Sequence, residues 1–245
     1  MRKTVKLLFI SMVMAFIMCA PAFSEQGNAS FKIKNGVLTE WYGDFTNVAI
    51  PACVIGIGES VFKGCRNFER VIIPDSVTSI ENWAFRGCDS LKSVTIPNSV
   101  TSIGYGVFGG CKNLADVTIP DSITSVEAGM FEYCSSLERV TIPDSITSIG
   151  DYAFRGCNNL ANIVIPDSVA NIGYGAFSGC KKLANIAIPD SVTNIGYGAF
   201  SGCSSLANVY YGGTEDDWNE IKINKNSGLG GKTIIGNDGS EWIAK

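Results

Sequence analysis

A chain of 245 residues with a formal net charge of −4 offers no basic excess for nucleic acid or for an anionic membrane surface. It contains no histidine, which removes Ser-His-Asp and Cys-His nucleophile activation together with the commonest general base. Carboxylate chemistry is what remains, and Glu127, Glu132 and Glu138 fall at scattered surface phases rather than as a facing pair, so no enzyme is expected.

In chain order, Arg2, Lys3 and Lys6 precede the apolar run Leu7 to Ala20, and the small residues Ala20, Ala22 and Ser24 follow. That is the pattern of a secretory signal peptide over residues 1–24, cleaved after Ala22 or Ser24. The apolar run falls short of the ~20 residues a spanning helix needs, so the mature chain is expected to keep no stable transmembrane segment. Cys19 stands where a lipoprotein would be acylated, although Met18 occupies the place where such sites want a small residue. Removing 1–24 takes away Arg2, Lys3 and Lys6 and no acid, so the formal charge goes from −4 to −7. The expected location is exported: secreted, at the cell surface or periplasmic.

Residues 25–47 read as an N-terminal cap. Phe31 to Lys34 and Val37 to Trp41 alternate on either side of Asn35-Gly36, the strongest short hairpin signal.

From 48 to 211 the chain repeats. Proline recurs at 51, 74, 97, 120, 143, 166 and 189, phenylalanine from Phe62 to Phe200 and cysteine from Cys65 to Cys203, always in steps of 23. A fixed period of 20–29 residues marks a leucine-rich-repeat solenoid, whose units bury their apolar faces only by stacking. Leu91-x-x-Val94-x-Ile96 supplies a short half-buried strand ended by Pro97, and Val100 and Ile103 supply a second apolar pair. Ala153-Phe154-x-Gly156-Cys157 reads as one helical turn. The expected fold is therefore a mainly β, right-handed solenoid of seven 23-residue units with a parallel sheet and short helical turns. Residues 212–245 form its C-terminal cap: Thr214 caps a helix with Asp217 in the capping-box position, Trp218 and Ile221 cover the last coil, and Thr233 to Ile235 with Glu241 to Ile243 make a closing hairpin.

The pattern IPxSVTSIGxxAFxGCxxL resembles the BspA-type, or treponemal-type, leucine-rich repeat of bacterial surface proteins, over residues 48–211. The YYGGTEDDWN segment is similar to the C-terminal cap seen in many of them. The resemblance implies a curved parallel solenoid that binds host or bacterial proteins and has no enzymatic activity of its own.

Other phased residues have simpler readings. The cysteine column is expected to be buried and reduced, since stacked coils give parallel sulfur vectors and no C-x-x-C or Cys/His spacing suggests zinc. Cys53, at the serine phase of the first repeat, is the candidate free thiol. Asp75, Asp121, Asp144, Asp167 and Asp190 are expected to make Asx turns after their prolines rather than to hold calcium. Gly104 to Gly109 matches G-x-G-x-x-G without the strand and long helix that a dinucleotide site needs. No metal or cofactor is expected.

Function must then sit on residues the repeat leaves free. The third and fifth positions of each strand face outward. They give two columns: Arg70, Ser93, Asp116, Arg139, Asn162, Asn185, Asn208 and Ile72, Thr95, Thr118, Thr141, Val164, Ala187, Tyr210. Threonine suits hydration, whereas the second column turns apolar over Val164, Ala187 and Tyr210, beside Asn162, Asn185 and Asn208. Those six residues are the candidate partner-binding site, for a host extracellular-matrix or other-cell surface protein. A second outward series, Trp83, Tyr105, Tyr152, Tyr174 and Tyr197, offers aromatics of the kind enriched at interfaces. The alternative is an envelope or spacer protein with no dedicated ligand.

Overall fold

The computed structural model describes residues 30–43, 45–224 and 226–244; the expected leader, with Cys19, lies outside the described residues. The strands in chain order are β1 (Ser30–Lys34), β2 (Val37–Tyr42), β3 (Asn47–Ala49), β4 (Gly56–Ile57), β5 (Arg70–Ile72), β6 (Ser79–Ile80) and β7 (Ser93–Thr95). Next come β8 (Ser102–Ile103), β9 (Asp116–Thr118), β10 (Ser125–Val126), β11 (Arg139–Thr141), β12 (Ser148–Ile149) and β13 (Asn171–Ile172). The last are β14 (Asn185–Ile188), β15 (Asn194–Ile195), β16 (Asn208–Tyr211), β17 (Lys222–Ile223), β18 (Thr233–Ile235) and β19 (Glu241–Ile243). One helix, α1 (Glu215–Glu220), stands between β16 and β17.

Most 23-residue units make one coil with a longer and a shorter strand, and within each ladder the repeat strands pair in parallel with their counterparts one period away. The longer strands form a ladder β3-β5-β7-β9-β11 and a second stretch β14-β16-β18 closed by antiparallel β19. The shorter strands form β2-β4-β6-β8, with β1 antiparallel on β2, and then β10-β12-β13-β15-β17. Together they wind a mainly β solenoid of about nine turns with little helix.

A third set of bonds runs along the turns. The Phe85 amide donates to the Val107 carbonyl at 3.0 Å and the Gly87 amide to the Gly109 carbonyl at 2.8 Å, with equivalents in later coils. Between these, amides such as that of Cys88 close onto the carbonyl three residues back. The expected helical turn is thus a run of tight turns, because alternate amides are committed to the next coil and cannot form the i→i−4 ladder.

The core follows the period. Phe62, Phe85, Phe108, Phe131, Phe154, Phe177 and Phe200 stack with centroids 5.0–5.8 Å apart and ring planes within 12° of parallel. Strand pairing sets the coil spacing, and identical rings at identical phase have no choice but to lie face to face, offset. Beside them, Cys88, Cys111, Cys134, Cys157, Cys180 and Cys203 are buried and free. Each thiol donates to the phenylalanine carbonyl of the preceding coil at 3.1–3.2 Å. Burial pushes the thiols of Cys88, Cys134, Cys157 and Cys180 well up, and that of Cys203 to about 11. Cys53 departs from expectation: it is disulfide-bonded and does not stand as a free thiol.

The corner after each proline is also closed differently from the Asx reading. Ser76, Ser99, Ser122, Ser145, Ser168 and Ser191 each donate a hydroxyl to the carbonyl of the coil before, at 2.5–2.8 Å. The five aspartates point to water and make no hydrogen bond among the described residues. A serine bond between coils wins over an aspartate bond within one because it satisfies a carbonyl that the corner would otherwise bury.

Both ends are capped by continuing the ladders. At the N-terminus Asn35 (φ 52°) and Gly36 (φ 79°) form the primed turn that suits a two-residue hairpin, and β2 pairs onward with β4. At the other end α1 takes the place of the proline corner. Its capping box is complete, with the Asp217 amide donating to the Thr214 hydroxyl and the Thr214 amide to the Asp217 carboxylate. Trp218 and Ile221 are buried, and Trp218 meets Tyr211 edge-on at 5.2 Å. β17 then rejoins the shorter ladder and β18 the longer one, so the cap is itself a coil in which a helix replaces one corner.

Candidate interaction surface

The longer-strand sheet carries the two outward columns in register. Arg70, Ser93, Asp116 and Arg139 pair in sequence, as do Ile72, Thr95, Thr118 and Thr141. One pair of exposed charges here ties coil to coil: Arg139 Nε lies 2.6 Å from Asp116 Oδ1. Two shallow depressions open on this half, one lined by Arg70, Ile72, Ser93 and Thr95 and the other by Ser93, Asp116, Arg139 and Thr141.

In the C-terminal half Asn185 pairs with Asn208 and Ala187 with Tyr210, while Val164 meets Ala187 through an isolated bridge. Val164 is 75% exposed and Tyr210 44%, so the cap leaves the tyrosine open. The cap even lengthens the columns, because β18 sets Thr233 beside Asn208 and Ile235 beside Tyr210. The period of 23 does not reach this strand: Leu229 keeps the leucine phase 23 residues after Leu206, but the proline is gone and β18 pairs with β16 at an offset of 25. Asn208 Nδ2 donates to Asn185 Oδ1 at 3.0 Å, so part of the asparagine column bonds to itself.

Asn162 is placed less regularly. Between β11 and β14 the longer ladder is interrupted: residues 162–164 form no strand, and only Val164 bridges onward. The coil before it shows the effect. Val140 and Ile142 are half-buried, whereas their counterparts Val117, Ile119, Ile163 and Ile165 are buried. The six candidate residues therefore share one face, but four form a paired block and the Asn162–Val164 coil flanks it across a looser seam.

The outward aromatics occupy two adjacent phases rather than one. Trp83 and Tyr152 sit at a left-handed position (φ 56° and 57°) that Gly106, Gly129, Gly175 and Gly198 fill elsewhere, while Tyr105, Tyr174 and Tyr197 precede such a glycine. The rings still meet: Trp83 with Tyr105 at 4.8 Å, Tyr152 with Tyr174 at 5.0 Å, and Tyr174 with Tyr197 at 5.4 Å. Asn82 and Asp151 explain the switch. Their Oδ1 atoms accept the Tyr105 and Tyr174 amides at 3.0 and 2.7 Å, and the next residue is turned left-handed with its ring outward.

A family model described as BspA type leucine rich repeat region matches residues 32–160 and 124–224, in six copies. The chain belongs to the BspA-type leucine-rich-repeat family. Among solved structures it is similar to a leucine-rich repeat protein from Bacteroides ovatus, at 27% identity over 85% of this chain and 69% of that one, with a TM-score of 0.61. It is also similar to the T. pallidum leucine-rich repeat protein, at 30% identity over 75% of this chain and 83% of the other, with a TM-score of 0.57. Comparison with curated proteins gives no match. Like other solenoids of its kind, the BspA-type chain keeps its interior for packing and leaves chemistry to its faces. No group of acids and thiols suited to holding a metal occurs among the described residues, and none of their helices is long and apolar enough to cross a membrane.

Proposed function

We propose that this BspA-type chain is an exported, non-enzymatic module that binds a protein partner, a host extracellular-matrix or other-cell surface protein, through the C-terminal half of its longer-strand sheet. The observation that carries the reading is the in-register apolar column Val164, Ala187, Tyr210 and Ile235, flanked by Asn162, Asn185 and Asn208, on a face whose other half carries Thr95, Thr118 and Thr141, the Arg139–Asp116 pair and a single apolar residue, Ile72. Covering Val164, which is 75% exposed, would contribute roughly 1.5 kcal/mol, and tyrosine is a residue type enriched in binding hot spots. The double variant Tyr210→Ala, Val164→Asp removes only exposed side chains and should stay folded while losing most binding to immobilised matrix or cell-surface protein. Full binding by that variant, with loss in Trp83→Ala or Tyr174→Ala instead, moves the site to the turn edge.

A second reading, a spacer without a ligand, is favoured by one observation: the Asn208–Asn185 and Arg139–Asp116 contacts use exposed polar groups to tie coil to coil. It predicts that neither set of variants changes any binding.

A further inference from the structure

The repeat is broken most heavily in one turn. Where the other coils read Gly-x-Gly-Ala-Phe-x-Gly-Cys or close to it, residues 127–134 read Glu-Ala-Gly-Met-Phe-Glu-Tyr-Cys. Tyr133 is the most costly departure. It adopts φ 60° at a phase that Gly64, Gly87, Gly110, Gly156, Gly179 and Gly202 fill in the other coils, and it is 47% exposed. A bulky residue in the left-handed region at a glycine position is a strain that the core has no use for.

Around it two cations converge on one acid. Arg155 Nη1 lies 3.5 Å from Glu132 Oε1, and Arg86 Nη2 reaches across an intervening coil to within 3.9 Å of Glu132 Oε2. The reach is possible because that coil carries Gly106 and Gly109. A Cβ on Gly106 would meet the Trp83 ring at 2.6 Å and Arg86 Nη1 at 3.4 Å. Arg155 also lies over the Tyr133 and Tyr152 rings, 5.4 and 5.0 Å from their centroids. The two arginine side chains keep about 41–42% of their exposure, while Glu132 keeps 16%. Two guanidiniums, each with five donors, thus approach a single carboxylate at long contact distances, Arg155 between two aromatic rings and Arg86 from two coils away, with donors left to solvent.

We propose that Arg86 and Arg155 form a carboxylate clamp on the turn edge, walled by Tyr133 and Tyr152, that takes an acidic peptide segment of a partner protein. Glu132 is its internal ligand. A partner carboxylate competes with Glu132 for the outward donors in the bidentate geometry that arginine favours, and the rings pack against the peptide beside it. Charge selects the occupant: the pair of arginines outnumbers Glu132 at this place on a chain whose formal charge is −4, which favours an anionic peptide here. The site is separate from the sheet face and does not depend on that reading.

The test uses a fluorescently labelled octaglutamate peptide and the full chain, with binding read by anisotropy at low ionic strength. The parent should bind, with affinity falling as salt is raised. Arg86→Ala, Arg155→Ala should weaken binding at least about tenfold, the loss of one good charge-assisted pair. Tyr210→Ala, Val164→Asp should leave it unchanged. Glu132→Gln is the deciding variant: it removes the internal competitor and keeps the shape, so it should bind the peptide severalfold more tightly, which a purely structural ion pair would not produce. Absence of binding by the parent, indifference to the arginine substitutions, or weaker binding by Glu132→Gln overturns the proposal. So does preference for a heparin-derived tetrasaccharide over the peptide, which would assign the cluster to sulfated glycans.

Discussion

Two aromatic columns run the length of the solenoid, one inside and one outside, and they obey different rules. The inner phenylalanines hold one phase from Phe62 to Phe200 without a gap, near-parallel throughout. The outer tyrosines and tryptophan change phase, take both edge-on and stacked contacts, and lapse at Ala128. Inside, each ring meets two identical neighbours in a space fixed by strand pairing, so any other residue leaves a cavity. Outside, water fills whatever a ring vacates, and the backbone can turn left-handed to aim a side chain. Periodicity therefore reports on packing, and departures from it report on what the surface is selected to do.

The largest expected effect comes from the thiols that share the inner column. Burial raises the pKa of Cys88, Cys134, Cys157, Cys180 and Cys203 above the unfolded value near ~8.5. Each therefore contributes stability that is fully present below that pH and is lost as pH rises through the folded value. Above ~8.5 the unfolded chain ionises first, at a cost to the fold of about 1.4 kcal/mol per thiol per pH unit until the folded thiol titrates too. The Cys203 share should level off near pH 11, the others later. Urea midpoints between pH 7.5 and 10 should fall steeply in the parent and less steeply in Cys134→Ala. A flat profile means that the column is not protonated and buried as described.

Next in size is a direct comparison of the two columns. Phe131 is fully buried between Phe108 and Phe154, at 5.8 and 5.5 Å, and Phe131→Ala should cost about 3–5 kcal/mol in urea denaturation. Tyr174→Ala removes a ring that is 42% exposed and touches Tyr152 and Tyr197, and should cost about 1 kcal/mol. Equal costs would erase the distinction between inside and outside.

What could be read before any coordinates follows the same division. Phase and hairpin chemistry located the coil, the Asn35-Gly36 turn and the Thr214–Asp217 capping box, because each is set by residues a few positions apart. Contacts set by what stands one or two coils away were not legible. The serine hydroxyl that closes each corner lies 22 residues from its acceptor, and Arg86 is 46 residues from Glu132. The switch of aromatic phase at Trp83 and Tyr152 is visible in the spacing, but that their rings still meet Tyr105 and Tyr174 depends on backbone φ, which spacing cannot show. The continuation of the surface column into Ile235 was hidden because α1 breaks the period while the ladder goes on. The disulfide at Cys53 has no counterpart at its serine phase in the other repeats, so no column could announce it.

The smallest effect should also have the opposite sign. Tyr133→Gly restores the residue that this phase carries in the other coils, relieving a left-handed conformation that costs an L residue roughly 1–2 kcal/mol. Against that stand the loss of the Tyr133 contact with Arg155, about 0.5–1 kcal/mol at an exposed site, and the loss of packing on Gly156, whose Cβ position lies 2.6 Å from the ring. Glycine also loses more chain entropy on folding, which trims the gain further. The net expectation is a small stabilisation, below about 1 kcal/mol, seen as a slight rise in urea midpoint with an unchanged slope. Destabilisation beyond that size would mean that the ring is held by packing that outweighs its strain, and that the turn around Glu132 is built for rigidity rather than for display.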